Sequence, residues 1–171
     1  MNHIPNFVQL TPLIATSGQP GPDDFHGIAA AGHVAVINIA MPDSENALAD
    51  EGRRVTEVGM TYVHIPVPFD APRARHLAQF TAALSAFEGE RVWIHCAMNL
   101  RVSAFLFHYL RGTGMEEADA RSPVLARWAP QLGTPYGRGL EALPGSTDLI
   151  ASNVGRGSVR HALRSTACTP P

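Results

Sequence analysis

The densest chemistry in the chain lies in Val92-Trp93-Ile94-His95-Cys96-Ala97-Met98-Asn99-Leu100-Arg101-Val102-Ser103. An apolar strand ends in His-Cys, a short loop follows, and a helix begins. A loop entering a helix N-terminus presents backbone N–H groups and a positive dipole end, which suit a tetrahedral oxyanion. The same surroundings favour a cysteine thiolate, the nucleophilic form. Arg101 can hold two oxygens through its planar fork, and the Ser103 hydroxyl can donate to the sulfur when a covalent intermediate breaks. A lone cysteine at a strand end is commonly a small buried hydrophobe. His95, Arg101 and a helix start beside it favour an anion loop built from Ala97, Met98, Asn99, Leu100 and Arg101, with His95 ordering the loop through a hydrogen bond to backbone.

The elements that must position this loop follow from pattern. Phe7–Leu10 and Leu13–Thr16 read as short strands broken at Pro12, and Ser17-Gly18-Gln19-Pro20 as a turn. Gly21-Pro22-Asp23-Asp24 opens a helix that ends at Gly32. Val34–Ala40 is a nearly continuous apolar run, as a strand covered on both faces should be. Residues 45 to 58 read as a helix ending at Gly59, and Thr61–Val67 as a strand. Leu77, Phe80, Leu84 and Phe87 recur at helical spacing between Arg73 and Phe87. Arg91–His95 is a further buried strand, and the following helix carries Phe105, Leu106, Tyr109 and Leu110 on one face as core. Met115–Trp128 is helical with a break at Pro123. Strands alternating with helices predict an α/β fold with a parallel-rich central sheet flanked by helices.

With 171 residues, 45% of them hydrophobic and 16% charged, the chain has the size and composition of one globular domain. A net charge of -2 offers no broad attraction for nucleic acid or an anionic membrane. No apolar run reaches the roughly 18 residues of a membrane span, and Met1–Asn6 lacks a signal-peptide pattern. Cys96 and Cys168 are the two cysteines, expected as free thiols of a cytoplasmic protein. Beyond about Pro130, frequent Gly and Pro without apolar periodicity divide the chain into a domain over residues 1–129 and a loosely docked or disordered tail over 130–171.

His95-Cys96 followed by Arg101 and Ser103 resembles the signature loop of the cysteine-dependent protein tyrosine and dual-specificity phosphatases. The nearer resemblance is to the bacterial beta-lactamase-hydrolase-like phosphatase group. It is carried by Ser17-Gly18-Gln19-Pro20, Ala29-Ala30-Ala31-Gly32, Val36-Ile37-Asn38-Ile39, Tyr62-Val63-His64-Ile65-Pro66-Val67 and the His-Cys loop, over roughly residues 10 to 128. Standard loops of the superfamily place five residues between Cys and Arg. Here there are four, so Val102 stands at the usual arginine position while Ser103 keeps the usual hydroxyl position. Asn99 replaces a central glycine, and Asn is the side chain that best tolerates left-handed backbone.

The resemblance implies a dual-specificity-phosphatase-like fold and hydrolysis of phosphate monoesters through a Cys96 thiophosphate, without metal or other cofactor. Such chemistry needs a general acid. Asp70, in Pro68-Phe69-Asp70-Ala71-Pro72, lies where the acid loop of dual-specificity enzymes falls; its bland alternative is a turn or capping residue ahead of the helix at Arg73. Asp43 is the reserve, and His64 reads as structural. The expected partner is a phosphorylated protein or a small phosphate ester. Four-residue spacing also resembles rhodanese-type sulfurtransferases, giving a Cys96 persulfide as the alternative enzyme, and a phosphate-binding pseudophosphatase as the alternative without turnover.

Overall fold

The structure is a computed structural model and describes residues 1–128. The expected tail over 130–171, with Cys168, lies outside the described residues.

Five strands form one sheet: β1 (Val8–Gln9), β2 (Ile14–Ser17), β3 (Ala35–Asn38), β4 (Thr61–His64) and β5 (Val92–His95). Their order is β1-β2-β5-β3-β4, with β1 antiparallel and the other pairings parallel. The interleaved helices are α1 (Asp24–Ala30), α2 (Glu51–Glu57), α3 (Ala74–Ser85), α4 (Leu100–Gly112), α5 (Glu117–Ala120) and α6 (Pro123–Trp128). This is the parallel-rich α/β sheet expected from the alternation of strands and helices.

Strand side chains alternate between two covered faces, which explains their continuous apolar runs. Ile37, Val92 and Ile94 pack with Leu77, Phe80, Val102 and Phe105 on the α3–α4 side. Val36, Trp93 and Ala15 pack with Phe25, Ile28 and Val55 on the α1–α2 side. β5 is the middle strand, so its carboxyl end, where Cys96 follows, is walled by β2 and β3. Ligands of open parallel sheets bind at such strand ends.

Two expectations need correction. The helix expected over 45–58 is confined to Glu51–Glu57. The preceding residues form successive turns, with Ser44 N–H donating to Met41 O and Ala47 N–H to Ser44 O; these local bonds close before a longer helical repeat is established. β4 ends at His64 rather than Val67, because Pro66 has no N–H to donate to a ladder. Gly32 and Gly59 both have φ of 84°, and each ends the helix before it. Among the described residues, no helix is long and apolar enough to cross a membrane.

Candidate active site

β5 delivers Cys96 to the carboxyl edge of the sheet, where the residue is 1% exposed and has a free thiol. The loop after it is held by its carbonyls. Ala97 O accepts Gln19 N–H at 3.0 Å and Asn46 Nδ2 at 3.2 Å. Met98 O accepts Asn6 Nδ2 at 3.0 Å. With those oxygens engaged by surrounding segments, the N–H groups of Ala97 and Met98 donate to no acceptor among the described residues. Leu100 opens α4, whose first N–H groups have no intrahelical acceptor. The loop therefore carries donors beside a buried sulfur, as an anion cradle requires.

Asn99 makes the turn into α4 in left-handed backbone, with φ of 64° and ψ of 3°. Its side chain is fully buried, and Nδ2 donates to Asn6 O at 2.7 Å and to Thr16 Oγ1 at 3.0 Å. The amide side chain thus both tolerates the conformation and bolts the loop to the N-terminal segment. Gly18 lies against the loop from the β2 side. A Cβ there would come within 2.8 Å of Ala97 O, 3.0 Å of Pro5 Cβ and 3.1 Å of Pro5 O, so only glycine fits.

The one-residue shift of the arginine has a clear geometric outcome. Val102 points into the core and is fully buried. Arg101, about 100° away around the helix, reaches the segment after β4. Its Nη1 donates to Val67 O at 2.6 Å, and the guanidinium sits 5.8 Å from the Phe69 ring centroid. Asp70 is exposed next to Phe69 and caps nothing, because the residue preceding α3 is Arg73. Arg101 and the candidate acid loop are thus joined, although no hydrogen bond links Asp70 to Cys96 or Arg101. Asp43 is exposed in the turns after β3. Ser103 is 2% exposed and its hydroxyl has no partner among the described residues, so the expected bond to the Cys96 sulfur is not made in this structure.

His95 departs from expectation. Its ring does not bond backbone among the described residues: Nε2–H donates to Glu51 Oε1 at 2.6 Å, and Nδ1 is buried with no partner among them. Glu51 Oε2 accepts Gln19 Nε2 at 3.0 Å and Asn38 Nδ2 at 3.1 Å, and Asn38 Nδ2 also lies 3.0 Å from Tyr62 OH. Burial, reinforced by the nearby Glu51 carboxylate, pushes the Tyr62 hydroxyl up to about 12. Glu51, Gln19 and Asn38 escaped the sequence analysis as site residues. The available signal was a glutamate at the start of a short helix, which ordinarily marks only a favourable dipole contact. His64 Nε2–H donates to Ala40 O at 2.9 Å, a structural role. Among the described residues, no three His, Cys, Asp or Glu side chains converge as metal ligands.

A parallel-rich sheet with a cysteine at the end of its middle strand and a donor-rich turn into a helix is the arrangement of a dual-specificity-phosphatase-like fold. The chain belongs to the family described as beta-lactamase hydrolase-like protein, phosphatase-like domain, whose sequence model matches residues 6–107. A DUF442 protein from Shewanella putrefaciens CN-32 is similar in structure at 31% identity and a TM-score of 0.74, covering 90% of this chain and 94% of that one. TpbA of P. aeruginosa, solved in complex with pTyr, is similar in fold at 13% identity and a TM-score of 0.65, with 88% and 91% covered. The core catalytic domain of the PP-IP phosphatase SIW14 from S. cerevisiae is likewise similar at 13% identity and a TM-score of 0.67, with 87% and 93% covered. These last two likenesses bear on the fold alone. No curated protein matches the chain.

Proposed function

We propose that the protein hydrolyses phosphate monoesters through a thiophosphate on Cys96. The observation that carries this reading is the pair of N–H groups at Ala97 and Met98 that find no acceptor among the described residues, beside the buried sulfur and just before α4. In the proposed reaction the phosphate oxygens take those donors and the Arg101 guanidinium. The Cys96 thiolate attacks phosphorus, the bond to the ester oxygen breaks, and Asp70 gives that oxygen its proton. Water then attacks the thiophosphate, releasing phosphate and regenerating the thiolate. Ser103, with an uncommitted hydroxyl next to the loop, donates to the departing sulfur.

Arg101 is not delivered to the loop as a free cation. Because it is tied to Val67 O, a phosphate that draws it in also acts on the segment carrying Asp70. The substrate is a phosphorylated protein or a small phosphate ester, the chemistry that a complex of a fold relative with pTyr exemplifies. Family membership favours phosphate over sulfane sulfur as the group carried by Cys96.

Incubation of the purified protein with p-nitrophenyl phosphate, and separately with thiosulfate plus cyanide, tests the reading. Phosphate release that vanishes in Cys96→Ser is expected. Thiocyanate formation without phosphate release would reassign the site to sulfur transfer, and neither product would leave a binding module.

A further inference from the structure

Among the described residues, Glu51 is the one buried carboxylate, and its environment is unlike that of an ordinary helix-start glutamate. It is 3% exposed and His95 is fully buried. One oxygen takes the His95 ring, while the other takes the amides of Gln19 and Asn38. Those donors come from the ends of different strands: Gln19 just after β2, Asn38 at the end of β3 and His95 at the end of β5. Tyr62 of β4 joins through Asn38. A single side chain therefore gathers the carboxyl ends of the strands that wall the site.

A buried carboxylate is costly unless donors surround it, and here three are supplied. The ring of His95 has no other fastening, because Nδ1 is unpartnered among the described residues. His95 is the residue before Cys96, and Gln19 also fixes the loop through its backbone N–H on Ala97 O. The carboxylate thus reaches the loop along two routes: through the His95 ring into the Cys96 backbone, and through the Gln19 side chain into the Ala97 peptide.

We propose that Glu51 is a positioning residue of the site, holding His95 and Gln19 so that Cys96 and the Ala97–Met98 donors share one geometry. It does not touch the substrate. This inference rests on the phosphatase reading for its kinetic consequences, but its structural core concerns the cradle itself and can be read without turnover.

Glu51→Gln tests it, because the isosteric amide keeps the volume yet offers only one acceptor oxygen to three donors. The full-length variant is treated with iodoacetate at fixed pH, and alkylation of the Cys96 peptide is followed by mass, with inorganic phosphate as protectant. At least tenfold weaker phosphate protection is expected, together with a kcat loss on p-nitrophenyl phosphate that exceeds any change in KM. Glu51→Asp should recover part of both, since it restores two oxygens, and His95→Asn should reproduce the share carried by the His95 route. In the double variant with Glu51→Gln the losses should not add, because the Glu51–His95 contact is already lost in each single variant. If Glu51→Gln does not fold, His95→Asn and Gln19→Leu carry the same readouts on the two routes separately. Unchanged phosphate protection in the folded variants would overturn the proposal. So would losses that simply add, or a lowered melting temperature with normal protection, which means a purely structural carboxylate. Wild-type protein that shows phosphate protection but no hydrolysis would overturn the phosphatase reading and leave this inference standing.

Discussion

The Val67 carbonyl accepts a 2.6 Å hydrogen bond from Arg101 Nη1, joining the segment that carries Asp70 to the helix that follows Cys96. Arg101 therefore has two tasks in the proposed reaction, to neutralise an oxyanion and to hold the acid segment. Lysine preserves the charge but not the fork. Arg101→Lys should lower kcat on p-nitrophenyl phosphate by about 10²-fold, the usual cost of one lost oxyanion donor. Steady-state kinetics on the variant check this, and unaltered kinetics would place Arg101 outside the machinery.

Val102 occupies the arginine position of the standard loop, yet it lies in the core with Ile94 and Phe105. Val102→Arg should not supply a second phosphate ligand. Forcing an unpaired guanidinium into that packing should cost more than about 3 kcal/mol, measured as a lowered midpoint in urea unfolding. A soluble variant with wild-type stability and raised activity would contradict this account of the shifted spacing.

Asp70 is exposed and uncommitted to capping, which leaves its carboxyl free for the proton transfer proposed above. Asp70→Asn should reduce turnover by about 10²-fold on esters with poor leaving groups, and much less on p-nitrophenyl phosphate, whose leaving group needs little protonation. Comparing an alkyl with a nitrophenyl ester makes the measurement. Equal losses on both would move the role elsewhere, with Asp43 the next residue to examine.

Asn99 separates conformational from hydrogen-bonding contributions. Asn99→Gly keeps the left-handed turn but loses the bonds to Asn6 and Thr16. Asn99→Ala loses the bonds and adds left-handed strain of about 1–2 kcal/mol. Chemical unfolding should rank wild type above Gly and Gly above Ala.

Gly18→Ala places a methyl group against backbone on one side and Pro5 on the other. Neither can rotate away, so a loss of about 1–3 kcal/mol is expected. Because Ala97 O is the nearest atom, phosphate affinity should fall with stability, as calorimetric titration with inorganic phosphate would show.

Sequence carried the frame of this site well and its underside poorly. Val92–Ile94 followed by His-Cys is legible because a strand covered on both faces must be continuously apolar, and Phe105, Leu106, Tyr109 and Leu110 mark a helix by their spacing. The left-handed turn at Asn99 was open to a reading of the same kind, since few side chains tolerate it. Glu51 was not legible. Its partners lie 32, 13 and 44 residues away, so no local pattern records them, and glutamate is ordinarily a surface residue. The overlong helix over 45–58 hid it further by treating residues 45–50 as helical. The direction of Arg101 also depended on something no spacing rule contains, the placement of Val67 and Phe69 beyond β4.

Asn6 and Asn99 exchange a hydrogen bond across 93 residues of sequence, and Asn6 also holds Met98. Contacts of such separation carry a large loop-closure entropy and form only when much of the chain has already come together. During synthesis Asn6 leaves the ribosome well before Asn99 exists, so the N-terminal segment must wait for its partner. A chain interrupted before α4 has the sulfur without its cradle. On the proposed reading, the order of assembly leaves Cys96 without its anion cradle until α4 has formed and met the N-terminal segment.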